Sequence, residues 1–180
     1  NDATTLKAYP DLGLDLVGID PSAGKFKEFY NEKIKLFEDF FSAETIIKNF
    51  NSKKAKVITS FSMFYDLEDP VSFAKDIEKV LHDDGIWVFE QSYMPTMLSA
   101  NSFDTICHEH LEFYGLQQIQ FILNLANLKI CDVEFNAING GSFSVTAAKK
   151  QSAVKVKEQK ISEILKSEDV FELSQLSTYV

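Results

Sequence analysis

Leu14-Asp15-Leu16-Val17-Gly18-Ile19-Asp20 is a short apolar run between Gly13 and Pro21, and it reads as a buried strand that ends in a carboxylate. Downstream, Ser22 to Tyr30 reads as a helix, Ile34 to Phe37 as a short strand, Ala43 to Phe50 as a helix and Ala55 to Phe61 as a third strand. Glu68-Asp69-Pro70 supplies acidic and proline start signals for a further helix. Its apolar positions Val71, Phe73, Ala74, Ile77, Val80 and Leu81 follow a 3.6-residue period, and Asp84-Gly85 ends it. Ile86-Trp87-Val88-Phe89-Glu90 is a strongly apolar strand closed by another carboxylate, and Gln91 to His110 reads as a long irregular loop. Leu116 to Leu128 has helical spacing. Leu128 to Phe135 and Ser142 to Ala148 flank Asn139-Gly140-Gly141 as an antiparallel pair.

Strands alternating with helices predict an α/β fold: a mostly parallel sheet with helices on both faces and an antiparallel edge pair. The tail from Ser152 to Leu165 reads as a charged helix and Asp169 to Val180 as a second one, so the expected division is a main domain over 1–150 and a helical tail over 151–180.

Composition bounds the function. At 180 residues, 45% hydrophobic, the chain can bury one sizeable core. A net charge of -9 argues against a nucleic-acid groove, which needs a basic stripe to neutralise phosphates. No apolar run approaches the roughly 18 residues of a membrane span, and Cys107 and Cys131 make neither a disulfide framework nor a zinc pattern. The expectation is a cytoplasmic protein acting on a small molecule, without membrane or nucleic-acid partners. The opening Asn1-Asp2-Ala3-Thr4-Thr5 reads as the far end of a motif, so upstream sequence is expected to be absent.

Four stretches carry candidate chemistry. In an open α/β sheet ligands sit beyond the carboxyl ends of the strands, where an acidic residue commonly accepts hydrogen bonds from ribose hydroxyls. Asp20 stands at such an end; the alternative is that it only starts a turn with Pro21. Phe40-Phe41-Ser42-Ala43-Glu44 could line a purine pocket or supply core, and Ser60-Phe61-Ser62-Met63-Phe64-Tyr65 leaves the end of a central strand. Cys107-His108-Glu109-His110 holds two of only three histidines. A metal site, histidines satisfied by backbone, and general acid/base chemistry compete there. The last is favoured: imidazole, with an unperturbed pKa of about 6.5, exchanges protons near neutral pH, and no third metal ligand or H-E-x-x-H helix is present.

Taken in order, Asn1-Asp2-Ala3-Thr4-Thr5-Leu6-Lys7, Gly18-Ile19-Asp20-Pro21-Ser22, Asp84-Gly85-Ile86-Trp87-Val88-Phe89-Glu90, Phe103-Asp104-Thr105-Ile106-Cys107-His108-Glu109-His110-Leu111 and Asn139-Gly140-Gly141-Ser142 resemble the S-adenosylmethionine-dependent sugar C-methyltransferases. These enzymes act on nucleotide-linked deoxysugars. The resemblance covers about residues 1 to 150. It implies a Rossmann-like class I methyltransferase fold whose first strand, with its glycine-containing cofactor turn, lies upstream of Asn1. It further implies S-adenosylmethionine as cofactor, with Asn1 and Asp2 at its methionine end, Asp20 on its ribose, Ser42 and Ala43 near adenine, and Ser60 and Phe61 beside it. His110 matches the family's general base and Glu109 its substrate-binding neighbour; Tyr65, Cys107 and His108 fall where substrate is selected, and no metal is called for. Antibiotic-sugar members commonly carry Tyr in place of Cys107 and a His near Tyr65 and Asp66. Methyl transfer to oxygen or nitrogen on the same fold, or a truncated binding module, are the alternatives.

Overall fold

The computed structural model describes residues 2–179, so the expectation for Asn1 lies outside them. The chain divides into two compact units, 1–45 and 46–180.

In the first unit, α1 (Thr4–Lys7) precedes β1 (Leu16–Ile19), which pairs in parallel with β2 (Ile34–Phe37), Leu16 opposite Ile34 and Ile19 opposite Phe37. The expected helix between them is a 3-10 segment, Ala23–Phe29, broken by non-helical backbone at Phe26. Here the lack of helical apolar spacing outweighs residue propensity. Gly18 has a packing reason: a Cβ there would lie 2.9 Å from Tyr30 Cε1. The unit boundary falls within α2 (Ala43–Asn49).

The second unit is built on a four-stranded sheet ordered β3 (Ala55–Phe61), β4 (Leu81–Ser92), β6 (Ser142–Lys149), β5 (Leu128–Asn136). β3 and β4 are parallel, while β6 runs antiparallel to both β4 and β5, giving the expected antiparallel edge pair. α3 (Pro70–Val80) starts where its signals predict: Asp69 accepts from the Ser72 N–H at 2.8 Å and Pro70 occupies the first turn. Its Ala74, Ile77 and Val80 are buried, as are Leu116, Ile119 and Leu123 of α5 (Leu116–Leu125). With Trp87 and Phe89 of β4 and Phe143 and Val145 of β6 they form the core.

Three expectations change. β4 begins at Leu81, which pairs with Ala55 before the register jumps to Val57–Ile86, so His82 to Gly85 bulge out of the ladder. The supposed loop after β4 contains α4 (Met94–Ala100), since Pro95 sits in a first turn, where proline is tolerated. The tail helix α6 spans Glu158–Asp169 rather than starting at Ser152, and its far end is followed by a 3-10 turn at Leu176–Tyr179. Lys157 and Lys160 hold it to Asp132 of β5 at 2.5 and 2.9 Å.

Candidate active site

The second unit gathers its chemistry at the carboxyl ends of β3 and β4. Ser60 of β3 accepts from the indole N–H of Trp87 at 2.9 Å, so its hydroxyl is tied to the core, whereas Phe61 is exposed. Ser62 then takes a left-handed conformation and its N–H donates to the Glu90 carbonyl, turning the chain into a 3-10 turn over Phe64–Asp66. Phe64 anchors that turn: its ring lies 5.6 Å from Trp87, 5.3 Å from Phe89 and 5.6 Å from Tyr114. With Phe64 fixed, Tyr65 and Asp66 are presented to the segment bearing His110.

That segment is irregular but pinned. The N–H groups of Leu111 and Glu112 both donate to the Tyr65 carbonyl, and Met94 N–H donates to the Tyr114 carbonyl. On its other side Gly141, with φ of 131°, makes room for Thr96: a Cβ there would meet Thr96 Cγ2 at 2.3 Å, and the Gly141 carbonyl accepts from Tyr93 N–H. The Gly-Gly pair thus lets the β5–β6 connection close against α4.

The His110 ring packs against Tyr65 at a tilt of 45° with centroids 4.2 Å apart, and Phe113 meets it edge-on at 6.5 Å. Its Nδ1 lies 2.7 Å from the Thr105 carbonyl oxygen. A carbonyl can only accept, so Nδ1 carries the proton and, in neutral imidazole, the lone pair resides on Nε2. This is the tautomer a general base needs.

Around it the expected residues separate. Tyr65 is buried, and its phenol is pushed up by that burial, against a hydrogen bond with Ser62 and with added repulsion from Asp66 and Cys107. Cys107 is exposed. His108 and Glu109 point to solvent and pair with each other at 3.4 Å. Hydrogen bonds from its own backbone N–H and from Cys107, with His108 adding, hold the Glu109 carboxyl below the usual range. Asp66 is the residue sequence reading missed as a site member. Its carboxyl is raised by burial, with His110 opposing and Glu109 reinforcing the shift, so it shares the His110 environment. Its position beside Tyr65, on the turn that leaves β3, was the available signal.

In the first unit, Asp20 closes β1, and its Oδ1 accepts from both N–H and hydroxyl of Ser22 at 2.7 Å. Burial raises its pKa, but these hydrogen bonds outweigh that and hold the carboxyl ionised. Asp20 therefore makes the turn with Ser22 and remains a carboxylate at the end of a strand. Asp2 is likewise held low by hydrogen bonds from Thr4. Asp20 and Asp2 both act on the Tyr30 phenol, which burial first and these charges next push upward. The Ser42 hydroxyl caps α2, donating to Thr45 Oγ1 at 2.9 Å and accepting from Thr45 N–H at 3.2 Å, and Ala43 is buried.

The sequence family described as a methyltransferase domain matches residues 2–133. The chain is 25% identical over 150 residues to the C-methyltransferase NovU of Streptomyces niveus, covering 82% of this chain and 36% of that protein. It thus spans about a third of the curated relative's length. Among solved structures, a chain of the complex containing the Haloferax volcanii Trm112 methyltransferase activator superposes with a TM-score of 0.65 at 14% identity, over 82% of this chain and 79% of that one. The Burkholderia thailandensis 1,6-didemethyltoxoflavin-N1-methyltransferase, solved with S-adenosylhomocysteine, gives a TM-score of 0.58 at 10% identity, over 82% and 67%. Both likenesses establish a shared Rossmann-like fold.

Proposed function

The chain belongs to the methyltransferase-domain family, whose methyl donor is S-adenosylmethionine, and from that premise we propose that it methylates a carbon next to a ketone on a nucleotide-linked deoxysugar, with His110 as general base. The observation that carries this reading is the Nδ1 contact of His110 with the Thr105 carbonyl, which leaves Nε2 as the lone-pair atom. Similarity to a C-methyltransferase supports carbon over oxygen or nitrogen as acceptor.

The donor set suits the cofactor. Asp20 offers an ionised carboxylate at a strand end, the group that accepts from a ribose diol. The resemblance assigns Asp2 to the methionine end and Ser42 and Ala43 to adenine in the first unit, and Ser60 and Phe61 to the cofactor in the second, with Asn1 assigned by sequence alone. Because the Ser42 hydroxyl is spent on capping, its contribution is through backbone. When bound, S-adenosylmethionine supplies an electrophilic methyl on a sulfonium.

The chain's own residues supply the base. A hydrogen next to a ketone is acidic because the resulting negative charge spreads onto oxygen, and neutral imidazole can remove it near pH 7. The ring contact with Tyr65 and the Thr105 carbonyl hold the imidazole, so little ordering remains for the reaction to impose. Tyr65, Cys107, His108 and Glu109 are assigned to the acceptor side by the resemblance; Tyr65 is the one packed against His110, while His108 and Glu109 pair with each other toward solvent.

The test is deuterium exchange. In D2O with S-adenosylhomocysteine and thymidine-diphosphate-linked 4-keto-6-deoxyglucose, the chain should exchange the hydrogen next to the ketone, as seen by proton NMR. His110→Gln should slow this by about 10²–10⁴-fold while leaving calorimetric S-adenosylhomocysteine binding intact. Heteroatom transfer predicts no exchange, and its absence in the wild type would overturn the reading.

A further inference from the structure

We propose that Gln91 and Tyr114 recognise the acceptor, hydrogen-bonding a hydroxyl or carbonyl oxygen of its sugar ring; this rests on the methyl-transfer reading above. Gln91 is the third inward residue of β4 after Trp87 and Phe89, all three essentially fully buried. Two aromatic residues lead the eye to expect a third apolar side chain there. Instead an amide is placed at the carboxyl end of the strand, and neither its nitrogen nor its oxygen has a partner among the described residues.

The Tyr114 hydroxyl is also buried without a partner. Tyr114 shares the layer of Phe89, since Phe64 lies within 5.6 Å of one ring and 5.3 Å of the other. It bridges Tyr93, two residues beyond Gln91, and stands four residues beyond His110 on the segment fastened to Tyr65. Burial pushes its phenol well above the ordinary range, with Glu112 adding, so it stays a protonated donor.

Buried polar groups without partners are scarce because each forfeits its hydration. The Ser92 hydroxyl beside Gln91 is buried without a partner as well, and three such residues at the carboxyl end of β4 and on the segment bearing His110 mark a place where a partner arrives. Amide and phenol are both neutral, and each donates and accepts, which suits neutral ring oxygens, while neither supplies the positive charge that favours a diphosphate. Being sealed from solvent, they need no dehydration at the moment of binding.

Gln91→Met keeps the shape and removes the polar atoms, and Tyr114→Phe removes only the hydroxyl. With S-adenosylhomocysteine present, calorimetry would compare thymidine-diphosphate-linked 4-keto-6-deoxyglucose with thymidine diphosphate alone on the full chain. Each variant should lose about tenfold or more in affinity for the sugar nucleotide, keep its affinity for thymidine diphosphate, and melt no lower than wild type. An unchanged preference for the sugar nucleotide in both variants would mean internal water only and overturn the assignment while methyl transfer stands. A wild type that neither prefers the sugar nucleotide nor exchanges its hydrogen would overturn the methyl-transfer reading, and this one with it.

Discussion

The ring of Tyr65 lies 4.2 Å from that of His110, centroid to centroid, while the Tyr65 carbonyl accepts from the N–H groups of Leu111 and Glu112. One residue thus fixes both the imidazole and the backbone that follows it. Tyr65→Leu removes the ring and keeps the carbonyl contacts, so the chain should fold normally and lose about tenfold or more in exchange rate. Tyr65→Phe should retain most of it. A Leu variant as fast as wild type would show that the ring contact does not position the base.

Asp20→Asn retains an oxygen for the Ser22 N–H and hydroxyl and removes the charge. The turn should survive, yet affinity for S-adenosylhomocysteine should fall about tenfold or more, as expected for losing hydrogen bonds to a charged group. Equal affinity by calorimetry would reduce Asp20 to a turn residue.

Glu168 of α6 is buried and accepts from Leu116 N–H at 2.5 Å, Gln117 N–H at 3.0 Å and the Tyr93 hydroxyl at 2.8 Å. The tail helix therefore caps α5, the side chain of a distant residue replacing a local cap that Gly115 cannot supply. Glu168→Ala should destabilise the protein by about 3 kcal/mol in urea titration, combining cap loss with buried donors left unpaired. A change below about 1 kcal/mol would contradict this role.

Burial, and then its bond to Glu168, push the Tyr93 phenol far above its ordinary value of 10.0. Its protonated form is favoured in the folded state, so this contribution is complete below about pH 10 and is lost as pH rises, at up to about 1.4 kcal/mol per pH unit. Tyr93→Phe should flatten the alkaline fall of stability above pH 10. Parallel curves for variant and wild type would refute that origin.

At Gly85 a Cβ would lie 2.8 Å from the Ala55 backbone carbonyl oxygen. Since backbone cannot move aside cheaply, Gly85→Ala should cost about 1–3 kcal/mol by thermal unfolding, the buried glycine closing a bulge. A neutral result would show that the bulge can shift.

Much of the second unit could be read before folding. β3 matches its predicted Ala55–Phe61 limits, α3 starts at its Asp69-Pro70 signal, and β5 and β6 flank the glycine pair, because burial periodicity and cap chemistry act over neighbouring residues. α4 was hidden because Pro95 looks like a breaker unless the start of the helix is known. The 3-10 segment at Ala23–Phe29 was read as a helix because propensity alone cannot weigh tertiary packing.

The sequence by itself determined the alternation of strands and helices, the carboxylate ending β1 and the histidine cluster, since these depend on residue type and local order. It could not tell which member of Cys107-His108-Glu109-His110 is ordered. That was decided by contacts with residues far along the chain: His110 against Tyr65, with Glu109 and His108 left to solvent. Nor could it show Glu168 capping a helix 52 residues away, or Gln91, Ser92 and Tyr114 buried without partners among the described residues. Hydrogen-bond satisfaction is a property of the packed state, where water has been removed and every polar atom must find its partner in space.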